Sequence, residues 1–361
     1  MLFYQSHRKV LIRNFTLVFL GVILFTQLDN MLLGIHGDIE DLAVKKSLRL
    51  PIREISGFSL KRTPDQWTLD IVSDHEPILY QLKSSSIEGL EQNPQLDSKN
   101  FRQILLNRLD FCLDPLNETC QRISNAILTQ WEAVARDPAG GLALIQEPTN
   151  TLYVFNEDAS QITGIRSYRF QDQTPKSKKS LGEGLVLLED GHFLVAKEKH
   201  PSQIVEFGPK GRSSRGLRWS DPSGSHINTI HPAGAMKSSS PSSEPPAGVG
   251  THEILEPLAQ WQFKGTHGQC DISDLAVYDS TSLYRGLYVL SQQCNKIFLV
   301  ELDDRALSQQ KAAPMHIKKT WSLPPLITHA EALAVLGDEL FVIGEDSKRL
   351  QDNVFFLEPK K

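Results

Sequence analysis

One phrase recurs five times along the chain, with variations. A small or acidic residue, a small residue and an apolar residue open a short strand. After a turn comes a second apolar strand that closes on an acidic or polar residue, and then a third apolar strand. The openings are Ser56-Gly57-Phe58, Glu132-Ala133-Val134, Glu183-Gly184-Leu185, Ser273-Asp274-Leu275 and Glu331-Ala332-Leu333. The second strands close at Asp74, Glu147, Glu198, Gln292 and Glu345. No such repeat can bury both of its faces alone, and stacking in a ring does so, which predicts an all-β fold of the β-propeller type. Five blades are legible, and the stretches 84–130 and 209–262 leave room for a degraded sixth. Runs such as Leu142-Ala143-Leu144-Ile145 are continuously apolar, as strands covered on both faces are. The outer strand of a blade falls in variable stretches such as Gly164–Arg169 and Ala259–Phe263. The lead-in around Leu48–Ile52 is placed to close the ring against the last blade.

The 361-residue chain begins with a segment of another character. His7, Arg8, Lys9 and Arg13 precede an apolar stretch, Phe15–Leu28, the pattern of a secretory signal or signal-anchor. Its length falls short of the roughly 20 residues of a full span. Leu11, Ile12 and Met31–Ile35 extend it, however, and no small-x-small cleavage site follows. Residues 1–35 therefore read as an uncleaved hydrophobic anchor helix, with a cleaved signal as the alternative. The basic flank puts residues 36–361 on the extracytoplasmic side of the cell membrane, periplasmic or outer. An even number of cysteines in an exported chain suggests two bridges among Cys112, Cys120, Cys270 and Cys294. Three pairings are open; Cys112 with Cys120 would staple a local loop, and Cys270 with Cys294 would tie the lead-in of the fourth repeat to the end of its second strand. No CxxC spacing points to zinc. A net charge of −5, with no basic run interleaved with aromatics, speaks against nucleic acid as a partner.

Two interruptions separate the repeats. Residues 84–130 read as an insertion carrying a short helix over Asn100–Leu109, N-capped by Ser98, and the Cys112/Cys120 loop with its sequon Asn117-Glu118-Thr119. Residues 210–250 include SSSPSSEPPAGVG, too poor in apolar residues to order themselves, and read as a disordered loop. Tight turns at Asp137–Gly141 and Glu189-Asp190-Gly191 join the first two strands of the second and third repeats. His192, beside the latter, is expected in solvent.

The polar columns carry the candidate chemistry. In an antiparallel hairpin the start of the first strand and the end of the second share one end, and the first strand of a propeller blade lies nearest the axis. The ring therefore gathers Glu132, Glu183, Glu331, Asp74, Glu147, Glu198 and Glu345 at one mouth of the central channel. Like charges so placed raise one another's pKa values or call for cations. Hard oxygen donors suit Ca2+ or Mg2+, with Glu132, Glu183 and Glu331 as the expected ligands. Three uses are open to these carboxylates: wiring between blades, for which Lys197, Lys199, Lys348 and Arg349 stand nearby, a site for a cation or cationic ligand, and acid–base catalysis. GxSxG, HExxH, P-loop and dinucleotide-turn motifs are absent, so no catalytic residue is assigned. His75 and His200 follow second-strand ends, and Trp131, just before Glu132, reads as core.

The words WEAVARDPAGGLALIQEPTNTLYVF, GEGLVLLEDGHFLVAKEKHPSQIVEF, DISDLAVY, LYVLSQQCNKIFLVEL and HAEALAVLGDELFVIGED resemble the SdiA-regulated propeller family and, more distantly, the NHL-like and phytase-like propellers. The phrase from Glu183 to Phe207 is the most specific, and the resemblance covers roughly residues 50–85, 125–208 and 265–358. It implies an exported, N-terminally anchored β-propeller with a divalent cation at the channel. The chain departs from that pattern in its 84–130 insertion, its Ser/Pro-rich loop, and Ser273 and Gln292, which leave the fourth blade without acids in the two columns. The functional expectation is a membrane-tethered binding module for a protein or small-molecule ligand. The alternative is a metal-dependent esterase or phosphatase, phytase-like, working at the channel mouth. A purely structural envelope protein would show no concave site.

Overall fold

The computed structural model describes residues 39–91, 101–106, 130–136, 141–171, 182–199, 201–217, 252–265, 270–280, 282–306, 312–347 and 352–361. The N-terminal segment, the Cys112/Cys120 loop, turn residues 137–140, His200 and residues 218–251 of the Ser/Pro-rich stretch lie outside them. Among the described residues no helix is long and apolar enough to cross a membrane.

After β1 (Ile39–Leu48) the chain folds into successive antiparallel meanders. The first is β2 (Ile55–Arg62), β3 (Trp67–Ser73), β4 (Ile78–Ser84) and β5 (Phe101–Leu105). The second is β6 (Trp131–Arg136), β7 (Leu142–Gln146), β8 (Thr151–Phe155) and β9 (Ile162–Ser167). The third joins β10 (Gly182–Leu187), β11 (Phe193–Lys197) and β12 (Gln203–Gly208); after β13 (His252–Ile254), which pairs parallel with β9, it is completed by β14 (Glu256–Gln262). The fourth is β15 (Asp274–Tyr278), β16 (Gly286–Ser291), β17 (Lys296–Leu302) and β18 (Ala313–Ser322). The last is β19 (Ala330–Gly337), β20 (Leu340–Glu345) and β21 (Val354–Pro359), and its fourth strand is β1, paired antiparallel from Leu42↔Pro359 to Leu48↔Val354. The sequence expectation that the lead-in closes onto the last repeat is met, by a strand that begins and ends earlier than the Leu48–Ile52 stretch suggested.

The reason for stacking is visible in the burial of the second strands. Every residue of β7, β11 and β16 is buried, so both faces of these strands need a neighbour. The neighbours are the adjacent meanders. Buried clusters join the first meander to the second around Val72, Leu79, Trp131 and Tyr153, and the second to the third around Ile145, Tyr168 and Phe207. Others join the third to the fourth around Trp261 and Phe298, the fourth to the fifth around Trp321 and Phe341, and the fifth back to the first around Phe58 and Phe356. The first strands touch in the same cyclic order, β2, β6, β10, β15, β19 and again β2. The arrangement is all-β and propeller-like, with the first strands innermost. Trp131 is fully buried and meets Tyr153 edge-on, the core role expected of it.

Three local readings change or sharpen. The apolar spacing that predicts a helix over Asn100–Leu109 belongs in its described part to β5, where Phe101 and Ile104 are buried and Arg102, Gln103 and Leu105 are exposed. The edge of β4 offers backbone partners from Ile78 to Leu82, and sheet pairing overrides the helical period. The described helix of this stretch is a single turn at Ile87–Glu91. His192 is buried, not solvated: its Nδ1 lies 2.8 Å from Glu206 Oε1. Glu206 also accepts bonds from Ser214 Oγ and from the N–H groups of Arg215 (2.7 Å) and Gly216 (2.8 Å), which fasten that segment onto the third meander. Cys270 and Cys294 form a disulfide with Cα atoms 5.5 Å apart, so of the candidate bridges this one is present.

Candidate functional site

The first strands do not run regularly into the channel mouth. In β2 the register passes from Ile55↔Ser73 to Gly57↔Val72, leaving Ser56 as an extra residue. The same shift leaves out Glu132 in β6, Glu183 in β10 and Glu331 in β19. Four of the five residues of the first polar column are therefore unpaired residues of a β-bulge, a device that re-aims a side chain; the fifth, Ser273, precedes β15, whose pairing with β16 is regular. Glu132, Glu183 and Glu331 are half-buried between buried neighbours. The small residue that follows each of them has a reason too. A Cβ on Gly57 would stand 3.0 Å from the Ala133 Cα, and one on Gly184 would stand 2.7 Å from the Leu275 nitrogen. Adjacent first strands approach backbone to backbone at this level.

The mouth is electrostatically tense. Burial pushes the Glu132 carboxyl well above the ordinary range, and the charges of Asp74, Glu147, Glu331 and Glu198 push the same way. Burial, then Glu132, Glu198, Glu147 and Glu331, raise Glu183 likewise. Glu331 is pushed up to about 8 by burial and by Asp271, Glu198 and Asp346, against a downward pull from Lys199. Glu147 is raised by burial, Asp74 and Glu198. Six of the seven expected carboxylates thus share one electrostatic neighbourhood. Glu198 is ion-paired with Lys199. Asp74 joins the backbone wiring: its N–H donates to Glu54 O at 3.1 Å and its carbonyl accepts from Gln130 N at 2.9 Å. Glu54 and Gln130, each two residues ahead of the bulge residue, take left-handed backbone angles (φ 48° and 60°), uncommon for residues with a Cβ. The seventh, Glu345, is buried and accepts from Thr328 N at 2.9 Å, Thr328 Oγ1 at 3.2 Å and His329 N at 3.3 Å. It fixes the approach to β19.

Two residues of the mouth are not in the polar columns. Tyr168, at the end of β9, has a buried hydroxyl without a hydrogen-bond partner among the described residues. The charges of Glu183, Glu147 and Glu132 act on it, and a Cβ at Gly182 would collide with its oxygen. Asp274 takes the small-residue position of the fourth repeat and sits within the ring. Its Oδ1 accepts from Leu275 N at 2.7 Å and its Oδ2 from Leu333 N at 2.7 Å, and Phe58 N donates to it as well. One carboxyl thereby links the first strands of three meanders. Burial pushes it up and the three N–H donors pull it down, with burial the stronger. Of the two histidines, His75 is exposed, 3.9 Å from Glu54.

The donor set is hard oxygen, the chemistry of Ca2+ and Mg2+. The geometry does not fit such an ion as it stands: among the described residues no group of three His, Cys, Asp or Glu side chains is close enough to hold one. Beyond Asp274, from Phe58, Val134, Leu185, Leu275 and Leu333 to the far ends of the five first strands, the ring encloses a cavity of about 540 Å3.

The chain matches no family model and no curated protein, so the resemblance to the SdiA-regulated propellers has no support at the level of sequence. Among solved structures it is similar to the glutaminyl cyclase of Myxococcus xanthus (TM-score 0.48, 9% identity, 90% of this chain and 100% of that one). It is also similar to the PQQ-bound aldose sugar dehydrogenase of Streptomyces coelicolor (0.42, 13%, 89% and 98%) and to the virginiamycin B lyase of Staphylococcus aureus (0.39, 9%, 89% and 100%). At scores and identities this low, these likenesses lend nothing to the chemistry of the site.

Proposed function

We propose that the chain is a five-bladed β-propeller, tethered through residues 1–35 to the extracytoplasmic face of the cell membrane, that works as a binding module and takes a cationic group at its acidic mouth. The observation that carries the reading is the delivery of Glu132, Glu183 and Glu331, by the bulges of three first strands, to one mouth where burial and mutual charge oppose their ionisation. A cation relieves that opposition and displaces the protons. An organic ammonium or guanidinium group reaches carboxylates that are too far apart to share one metal ion, and the Tyr168 hydroxyl adds a hydrogen-bonding group without a partner of its own among the described residues. Ca2+ or Mg2+ would require the carboxylates to draw together. The blade number rests on the cyclic order of the buried clusters and on β1 as the outer strand of the last blade. The tether rests on the basic flank and apolar run of the N-terminus. A metal-dependent hydrolase needs several donors on one ion with an open position, and the described residues offer no such group.

Isothermal calorimetry of spermidine, Ca2+ and Mg2+ into the full-length chain in detergent tests the reading. Spermidine is expected to bind saturably, and a Glu183→Gln/Glu331→Gln variant to weaken it at least about tenfold, the scale of a charge-assisted contact. Absence of spermidine binding would refute the cationic-group reading, and binding of the metal ions alone would make the mouth a metal site instead.

A further inference from the structure

The far side of the channel has a different character from its acidic mouth. The cavity of about 540 Å3 beyond Asp274 lies within the size range of small-molecule sites, on the order of 300–1,000 Å3. Its wall is made of sheet edges. Each first strand pairs with a neighbour on one side only, β2 with β3, β6 with β7, β10 with β11, β15 with β16 and β19 with β20. The other edge presents backbone N–H and C=O groups to the channel. Apolar side chains stand among them, including Leu60, Leu187 and Val277, and Asp274, holding three of the N–H groups, lies at the inner end.

At the open end the lining includes three cations, two of them already committed. Lys61 is ion-paired with Glu157, and Arg136 is held by Asp70 and by the Glu157 carbonyl at 2.8 Å. The third, Arg62, is exposed, with its guanidinium 4.9 Å over the ring of Trp67. No carboxylate forms an ion pair with it among the described residues, and its charge reaches Tyr278 on β15. Asp279, the carboxylate of this lining, is paired with Arg285. A guanidinium stacked on an indole keeps its in-plane N–H donors available, and that fork matches a carboxylate.

We propose that this cavity binds a small organic anion with a flat apolar body, its carboxylate on Arg62 and its body between Trp67 and the apolar part of the channel wall. The chain then has two sites of opposite sign at the two ends of one channel, and the second is independent of what the acidic mouth binds.

Naphthalene-2-carboxylate and its neutral amide, naphthalene-2-carboxamide, are the probes: the same body with and without the charge. Equilibrium dialysis against the full-length chain in detergent, with a detergent-only chamber subtracted, measures both. The carboxylate is expected to occupy a single saturable site at least about tenfold more tightly than the amide, the scale of a charged hydrogen bond. Arg62→Glu is expected to abolish that preference while the amide's weaker binding persists. Arg62 is exposed, and an unchanged thermal melt confirms that the variant is folded. Equal affinity for the two probes, binding without saturation, or a carboxylate preference that survives Arg62→Glu would overturn the proposal.

Discussion

Glu331→Gln exchanges one carboxyl of the mouth for an uncharged amide of the same shape. Glu331 in the folded chain keeps its proton up to about 8, against 4.5 for an unperturbed glutamate, because burial and the charges of Asp271, Glu198 and Asp346 oppose ionisation. Between those values the folded state holds a proton that the unfolded chain releases. The stability linked to this group is therefore fully present below about pH 4.5 and is lost as pH rises toward 8. Each pH unit in that window corresponds to about 1.4 kcal/mol, or at most about 5 kcal/mol across it. Solvent screening at the half-buried Glu331 reduces the effect, and about 2 kcal/mol is the expected size. For a domain of this length that is a fall in Tm of about 4 °C. Thermal melts of the parent chain and the variant at pH 4 and pH 8.5, in cation-depleted buffer, measure it. The variant is expected to match the parent at pH 4 and to melt about 4 °C higher at pH 8.5. A variant with the parent's full pH dependence, or one equally destabilised at both pH values, would refute the reasoning.

Three further outcomes follow from particular contacts. Asp274→Ala strips the acceptor from the N–H groups of Leu275, Leu333 and Phe58; at about 1–3 kcal/mol per buried unsatisfied donor, the urea midpoint should fall by the equivalent of about 3 kcal/mol or more, and Asn at this site should recover part of it. Burial alone would push Glu206 up, but His192, Ser214 and the N–H groups of Arg215 and Gly216 hold it below the ordinary range. Its stabilising effect is thus present above about pH 4.5 and lost as pH falls, so the Arg215 and Gly216 amides should lose protection, relative to their intrinsic exchange rates, in acid, and in Glu206→Ala at every pH. Gly184→Ala puts a methyl 2.7 Å from the Leu275 nitrogen and should cost about 1–3 kcal/mol in chemical denaturation, whereas Gly164→Ala, 3.8 Å from the nearest atom, should be tolerated.

The carboxylates at the mouth were legible in the sequence because the repeat phrase fixes where each first strand begins, and a hairpin fixes which ends share a side. The outer strands β9 and β14 were legible only in approximate place, the stretches Gly164–Arg169 and Ala259–Phe263 falling two to three residues late of their starts at Ile162 and Glu256, as was the closure onto β21. The bulges were not, since one unpaired residue leaves no period to read; the small residues at Gly57 and Gly184 were their indirect sign, set by the close approach of neighbouring strands. Glu345 could not be told apart from Glu198, because whether a strand-end carboxylate faces the channel or the Thr328–His329 backbone depends on a loop conformation. Tyr168 carried no sequence signal: it lies at the end of an outer strand and reaches the mouth only because Gly182 makes room. Asp274 stood in the column of small residues, and that departure was the available sign that one repeat links the others by a side chain rather than by close packing. Phe101 and Ile104 misled because spacings of three fit a helix as well as a strand whose intervening residues face solvent.

The most direct test of the acidic mouth is calorimetric titration of spermidine into the full-length chain at pH 7 in two buffers of different ionisation enthalpy. Carboxyls that burial and mutual charge keep protonated must release protons when a cation binds. The heats should therefore differ between buffers and report the release of about one proton or more per ligand. Identical heats in the two buffers would show that the bound carboxylates were already ionised, and absence of any heat of binding would show that the mouth takes no cation; either would contradict the account.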